Sequence, residues 1–473
     1  MEQYPWQFDS PPLPPPPDLE QSPLEEVEDS EEVKRNVQTR QSTYDYAEVL
    51  QKSMLFYEAQ RSGKLPANHR ISWRGDSGLY DKGENDEDLT GGYYDAGDHV
   101  KFGLPMAYTI TVLTWGLIRY EDAYKAAGEL DNMYDAVKWG TDYFIKAHPS
   151  PNVFYAQVGS GAIDHKYWVR PEDMTMPRPT TKLDSSNCGS DIAAETAAAL
   201  AAVSTAFKKR DPAYSAECLK HAEELFTFAD ECRGLFNGKY YHSDKYGDEL
   251  AWAAAWLYRA TSTNAWKNKA AQLWNKYACN GIPYSFGWST KNVGVSLLMF
   301  ELTGEKEYAK RVKPYVNAWL PENGFDTTPK GLAFRSKWGP LRYAAGTAMI
   351  ALIASELGLR TPKYKEFATQ QIHYMLGDGG RSYVVGFGEN FPKSPHHRAS
   401  SCSDTICGNA ALNSADPNPN VLVGALVGGP GEYDNYNDNR KDYVKNEVAC
   451  DYNAAFQTAV AALLHMELTP PTL

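Results

Sequence analysis

Residues 190–232 read SDIAAETAAALAAVSTAFKKRDPAYSAECLKHAEELFTFADEC. Apolar positions recur at helical spacing over 190–208 and again over 213–232, with only residues 209–212 between the two segments. So short a link makes the two helices antiparallel neighbours. The alanine-rich piece Ala193–Ala202 suits close helix packing, as does Ala251–Ala255. Outward from this pair, the same period predicts helices over 45–62, 105–120, 131–147, 248–261, 264–279, 288–303, 305–320, 341–357, 363–376 and 450–466. Strand-like alternation is scarce, and Ser382–Phe387 is the one stretch that reads as extended.

The links between these twelve segments alternate in length. After even-numbered helices they are short: 121–130, 209–212, 262–263, 304 and 358–362. After odd-numbered helices they are long, at 63–104, 148–189, 233–247, 321–340 and 377–449, with 280–287 as the exception. If successive helices alternate direction, every long connection emerges at the same end. Six hairpins of this kind predict an all-α chain closed into a double ring, an (α/α)6 barrel whose long loops form an open cleft on one face. An open solenoid of hairpins would need regular repeats of similar loop length, and none is visible.

Composition narrows the function. The chain has 473 residues with 47 Lys and Arg against 60 Asp and Glu, a net charge of −13 that excludes a general nucleic-acid coat. No run of 18 apolar residues is present to span a membrane. Seven cysteines in this length are not a disulfide scaffold. Residues 1–42 are rich in proline and carry ten acids against three bases, more than half of the negative balance. Such a segment cannot bury enough apolar surface to offset its chain entropy and reads as a disordered or polyproline-like leader, leaving 43–473 as the barrel domain. It lacks the basic start and apolar run of a signal peptide. The 31 Tyr, 17 Phe and 12 Trp point either to core packing or to a cleft lined with flat rings.

Three constellations fall in the long loops. The first is Gly91-Gly92-Tyr93-Tyr94-Asp95-Ala96-Gly97-Asp98-His99-Val100-Lys101-Phe102, with two carboxylates three residues apart in a glycine-rich turn. It is compatible with a capped turn as well as with a catalytic pair, and it offers too few oxygen ligands for a calcium loop. The second is Ser382-Tyr383-Val384-Val385-Gly386-Phe387-Gly388 followed by Pro395-His396-His397-Arg398, which suits hydroxyl or anion recognition better than a metal. The third, Tyr436 to Ala449, mixes charges of both signs and ends in Glu447. His165, Tyr167 and Trp168 lie in the second long loop, Trp338, Arg342 and Tyr343 at the fifth, and Trp256 continues a helix-borne stripe with Trp252. Rings of this kind stack on the C–H faces of sugars while Arg, His and Asp hold the hydroxyls.

Together these residues resemble glycoside hydrolase family 9, the inverting endoglucanases, over about residues 43 to 468. Ser382-x-Val384-Val385-x-x-Gly388-x-Asn390 with Pro395-His396-x-Arg398 fits the family's histidine signature. Tyr436-x-Asp438, Tyr443, Glu447-x-Ala449 and Asn453-Ala454 fit its acidic signature. The resemblance implies an (α/α)6 barrel and an endo-β-1,4-glucanase acting on cellulose or other β-1,4-glucans. It makes Asp98 the general base, Asp95 its partner on the attacking water, and Glu447 the general acid. It places His396 and Arg398 on sugar hydroxyls, Asp438 and Tyr452 in support of the acid, and His165, Trp168, Trp256, Trp338 and Arg342 along sugar subsites. Inversion sets an acid and a base on opposite faces of the sugar, about 6.5–9.5 Å apart, with room for water. A non-catalytic glucan-binding protein would keep the rings without the carboxylates, and a hydrolase of mixed-linkage glucan or xyloglucan would keep the chemistry and change the loops.

Family habit implies an extracellular monomer with no nucleic-acid or membrane partner and no cofactor required. Many relatives bind calcium in the loop after the fifth helix. Here that loop, Arg233-Gly234-Leu235-Phe236-Asn237-Gly238-Lys239-Tyr240-Tyr241-His242, is short and holds no carboxylate, which argues against a structural calcium. No added binding module is expected on either side, which favours soluble or amorphous glucan. Cys402 and Cys407 are close enough in sequence for a small disulfide, while Cys188, Cys218, Cys232, Cys279 and Cys450 read as isolated buried thiols.

Overall fold

Helices occupy all twelve places that the periodicity selects. The computed structural model describes residues 43–469 apart from Asn237 and Ala278, so the expected leader over 1–42 lies outside the described residues. The long helices are α1 (Tyr46–Ala59), α2 (Gly103–Arg119), α3 (Leu130–Ala147), α4 (Ser190–Phe207), α5 (Pro212–Glu231) and α6 (Gly247–Thr261). They continue as α7 (Asn264–Lys276), α8 (Asn292–Thr303), α9 (Lys306–Ala318), α10 (Pro340–Glu356), α11 (Thr361–His373) and α12 (Cys450–Leu468). Short helical turns, such as Glu121–Ala126 and Tyr443–Asn446, decorate the links.

The even-numbered helices pack in sequence, α2 on α4, α4 on α6, α6 on α8, α8 on α10, α10 on α12 and α12 back on α2. That closure makes an inner ring, and the odd-numbered helices surround it. Composition explains the sorting. Every residue of α2 from Gly103 to Leu117 is buried, as an inner helix with neighbours on all sides requires. On α9 only Tyr308, Ala309, Val312, Tyr315 and Val316 are buried, one stripe of an amphipathic helix facing inward. Among the described residues, no helix is long and apolar enough to cross a membrane.

Ser382–Phe387 is not a strand: it makes a single bridge, Val384 to Leu426, and Gly386 and Gly388 turn the chain with positive φ. Its valines are buried for packing rather than for a sheet ladder. The sheet lies elsewhere, in three short antiparallel strands, β1 (Lys101–Phe102), β2 (Phe154–Val158) and β3 (Thr180–Leu183), in that order. It joins the first long loop to the second. Lys101, fully buried, stiffens the corner through Asp81 at 2.8 Å and the Leu89 carbonyl at 2.6 Å.

Cys402 and Cys407 are disulfide-bonded, and Cys218, Cys279 and Cys450 are buried free thiols. The expectation of isolated thiols fails for Cys188 and Cys232, which form a second disulfide across 44 residues of sequence. The antiparallel α4–α5 hairpin lies between them, so the end of the second loop meets the end of α5.

Candidate active site

The long loops meet one another at one end of the barrel. The first delivers Asp95 and Asp98, and its backbone is tied to the start of α12, where the Cys450 N–H donates to the Asp95 carbonyl at 2.9 Å. The last delivers Glu447, whose main chain pairs in parallel with that of His396. Residues 95 and 450 thus share one backbone network.

Asp95 is buried, and its Oδ2 accepts from the Tyr241 hydroxyl at 2.5 Å. Burial, then the charges of Asp98 and Asp451, push its carboxyl well above the usual range, while the Tyr241 bond pulls the other way. Asp98 has its Oδ2 2.9 Å from His165 Nε2 and leaves Oδ1 buried without a hydrogen-bond partner. A buried acceptor left unsatisfied by the protein is suited to a water or a substrate hydroxyl.

Glu447 Oε2 accepts from Trp338 Nε1 at 2.9 Å and from the Tyr452 hydroxyl at 3.2 Å. Burial raises its carboxyl to about 7, with the Asp98 charge adding and the Trp338 bond, Arg342 and Tyr452 opposing. Such a group keeps its proton near neutral pH while remaining able to release it.

His396 donates from Nδ1 to the Arg440 carbonyl, 2.6 Å away, since a carbonyl only accepts, so the proton sits on Nδ1 and Nε2 carries a lone pair. Burial lowers this ring to about 4, which keeps it neutral. Trp168 packs edge-on to His396 with centroids 5.0 Å apart and donates from Nε1 to Ser401 at 2.8 Å. Arg398 is buried in an ion pair with Asp164, its guanidinium 5.6 Å from the Trp168 ring centre. Arg342 lies 5.2 Å from the ring centre of Tyr452 and 3.5 Å from Asp451.

Two expected site residues sit differently. Trp256 lies on the inner helix α6, wholly buried between Trp115 and Trp252, and reaches no loop. The stripe it shares with Trp252 faces neighbouring inner helices, so core packing, not sugar stacking, accounts for it. Asp438 does not touch the acid; its oxygens accept from the backbone N–H groups of Lys393 at 2.7 Å and Ser394 at 3.0 Å, fixing the segment that leads into His396. The residue that motif reasoning passes over is Tyr241. Its place in the third of the loops expected on the same face was the available signal. Trp288, from the fourth, braces it edge-on with centroids 4.9 Å apart. The loop at 233–242 holds no carboxylate in its sequence, and its Arg233 turns back to pair with Asp230 at 2.6 Å.

The profile of glycosyl hydrolase family 9 matches residues 46–460. The chain belongs to this family. Among family 9 relatives, it is 45% identical to Endoglucanase A of Bacillus pumilus, over 92% of this chain and 68% of that protein. It is 43% identical to Endoglucanase 19 of Arabidopsis thaliana, over 90% of this chain and 76% of that one. The endoglucanase of the termite Nasutitermes takasagoensis superposes with a TM-score of 0.88 at 54% identity, covering 90% of this chain and all of the other. The cellulase Cel9M of C. cellulolyticum in complex with cellobiose superposes at 0.84 and 37% identity, covering 89% of this chain and 99% of the other. The family 9 neighbours share the (α/α)6 barrel that the inner-ring closure displays.

Proposed function

We propose that this family 9 chain is an endo-β-1,4-glucanase that hydrolyses internal bonds of cellulose and related β-glucans with inversion. The observation that carries the reading is Glu447, held by Trp338 and Tyr452 and raised to about 7, at the same end of the barrel as the Asp95–Asp98 pair. Asp98 acts as the general base: its partnerless Oδ1 takes one proton of a water as that water attacks the anomeric carbon. Asp95, fixed by Tyr241, holds the second proton and aligns the water. Glu447 gives its proton to the glycosidic oxygen as the bond to the leaving glucan breaks. One proton enters the leaving oxygen and one leaves the water, so the balance closes, with Glu447 and Asp98 reset through solvent.

His396 Nε2 is an acceptor for a sugar hydroxyl, and His165, Trp168, Trp338, Arg342 and Arg398 line the path of the chain. This acid–base chemistry calls for no cofactor. Two disulfides, Cys188–Cys232 and Cys402–Cys407, support an extracellular site of action, because such bonds persist in oxidising compartments.

The test is reducing-end release from carboxymethylcellulose by the wild type and Glu447→Gln, with NMR of the first-formed anomer on a cello-oligosaccharide. Loss of activity in the variant and an initial α anomer are expected. Equal activity in both proteins, or an initial β anomer, overturns the assignment.

A further inference from the structure

Where α3 ends and the second long loop begins, three metal-binding side chains converge. His148 caps α3 and is 1% exposed, and His221 and Glu224 stand three residues apart on the same face of α5. The two Nδ1 atoms are 2.7 Å apart with rings at 73°, and the ligand atoms of all three residues lie within 4.8 Å of one another. We propose that His148, His221 and Glu224 form a divalent transition-metal site, with zinc as the ion that two imidazoles, one carboxylate and a water fit.

Several features favour an ion over a bare histidine pair. Burial holds His148 in its neutral, ligating form, at about 4, and His221 is lowered for the same reason. The Pro151 carbonyl and Glu224 favour positive charge at the rings, and Lys220 opposes it. Lys220 is only a weak competitor for Glu224, at 3.9 Å and largely exposed. Two nitrogens on one tetrahedral zinc, each at 2.0–2.1 Å, stand roughly 3.3 Å apart, so the rings need separate by only a fraction of an ångström. Both rings would take the Nε2–H tautomer and offer their Nδ1 lone pairs.

The position gives the site a purpose. The second long loop runs from His148 to Gly189 and carries His165 and Trp168. Its far end is already fastened to α5 by Cys188–Cys232. A metal at His148 and His221 would fasten its near end to the same helix, so that both ends of a sugar-binding loop are anchored on α5.

Protein dialysed against EDTA is titrated with ZnCl2 in competition with a chromogenic zinc indicator, and thermal unfolding is followed with and without zinc. Circular dichroism checks that each variant folds. The wild type is expected to bind one zinc and to unfold at higher temperature with it. His221→Gln and Glu224→Gln should each weaken binding tenfold or more and lose the thermal shift. His165→Asn, which disrupts the other grouping of potential ligands at Asp98 and Asp164, should leave zinc affinity unchanged. A wild type that binds no zinc, equal affinity in wild type and His221→Gln, or loss of binding in His165→Asn alone overturns the proposal.

Discussion

Gly97 meets His396 main chain to main chain: a Cβ placed on Gly97 would lie 2.1 Å from the His396 carbonyl oxygen and 2.8 Å from the His397 Cα. The Arg398 N–H donates to the Gly97 carbonyl at 3.2 Å in the same contact. The turn that carries Asp95 and Asp98 is therefore seated directly on the segment that carries His396 and pairs with Glu447. Backbone, unlike a flexible side chain, cannot move aside for a methyl group. Gly97→Ala should displace the turn that bears Asp98, the proposed base, and lower kcat on carboxymethylcellulose by about 100-fold, the cost of a misplacement near 1 Å. Steady-state kinetics checks this, and near-normal turnover would mean that the two segments are not held in register here.

Tyr241→Phe should act through Asp95. The lost hydrogen bond favours the ionised carboxyl, so its removal raises Asp95 further. The acidic limb of kcat/KM should move to higher pH, and kcat should fall by about 10- to 100-fold. A reduced kcat with an unmoved pH profile would indicate that the hydroxyl serves only to pack the loop.

As the proposed general acid, Glu447 acts in its protonated form, so kcat/KM should decline as pH rises through about 7. Stability follows with a defined sign. The folded carboxyl is raised above its unfolded value of 4.5, so the stability linked to its proton is fully present below that value and is lost as pH rises through about 7. Glu447→Gln removes the charge that is costly to bury. Its melting temperature relative to wild type should therefore be higher at pH 8 than at pH 5, even though activity is lost. Calorimetry at the two pH values measures the difference, and a shift of the opposite sign would contradict the raised carboxyl.

Trp256→Ala should be a stability variant, not a binding variant. Removing a fully buried indole from the Trp115–Trp252 cluster costs about 3–5 kcal/mol. Urea unfolding should register that loss, while KM for cellohexaose in the folded protein stays close to wild type. A raised KM at unchanged stability would restore Trp256 to the sugar path.

The Cys188–Cys232 bond spans 44 residues, and loop closure of that length contributes about 4 kcal/mol in the chain-entropy view. The Cys188→Ser, Cys232→Ser double variant should show a lower urea midpoint by a corresponding amount. An unchanged midpoint would mean that the native contacts around α5 already hold the loop closed.

The sequence alone determined the twelve helices and their closed arrangement, because a helix must turn an apolar stripe inward every 3.6 residues and short links leave few ways to pair neighbours. Through the family resemblance it also pointed to Asp95, Asp98 and Glu447 as the proposed chemical centre, because the motifs around them are local. Only the tertiary structure decided what those motifs touch. Trp338 and Tyr452 on Glu447, Tyr241 on Asp95 and Cys188 against Cys232 each join residues far apart or on different loops. Trp256 and Ser382–Phe387 mark the same limit. An aromatic stripe and a run of valines look alike in sequence whether they face a substrate, a sheet or a core, and the difference lies in which side of the element the ring of neighbouring helices occupies.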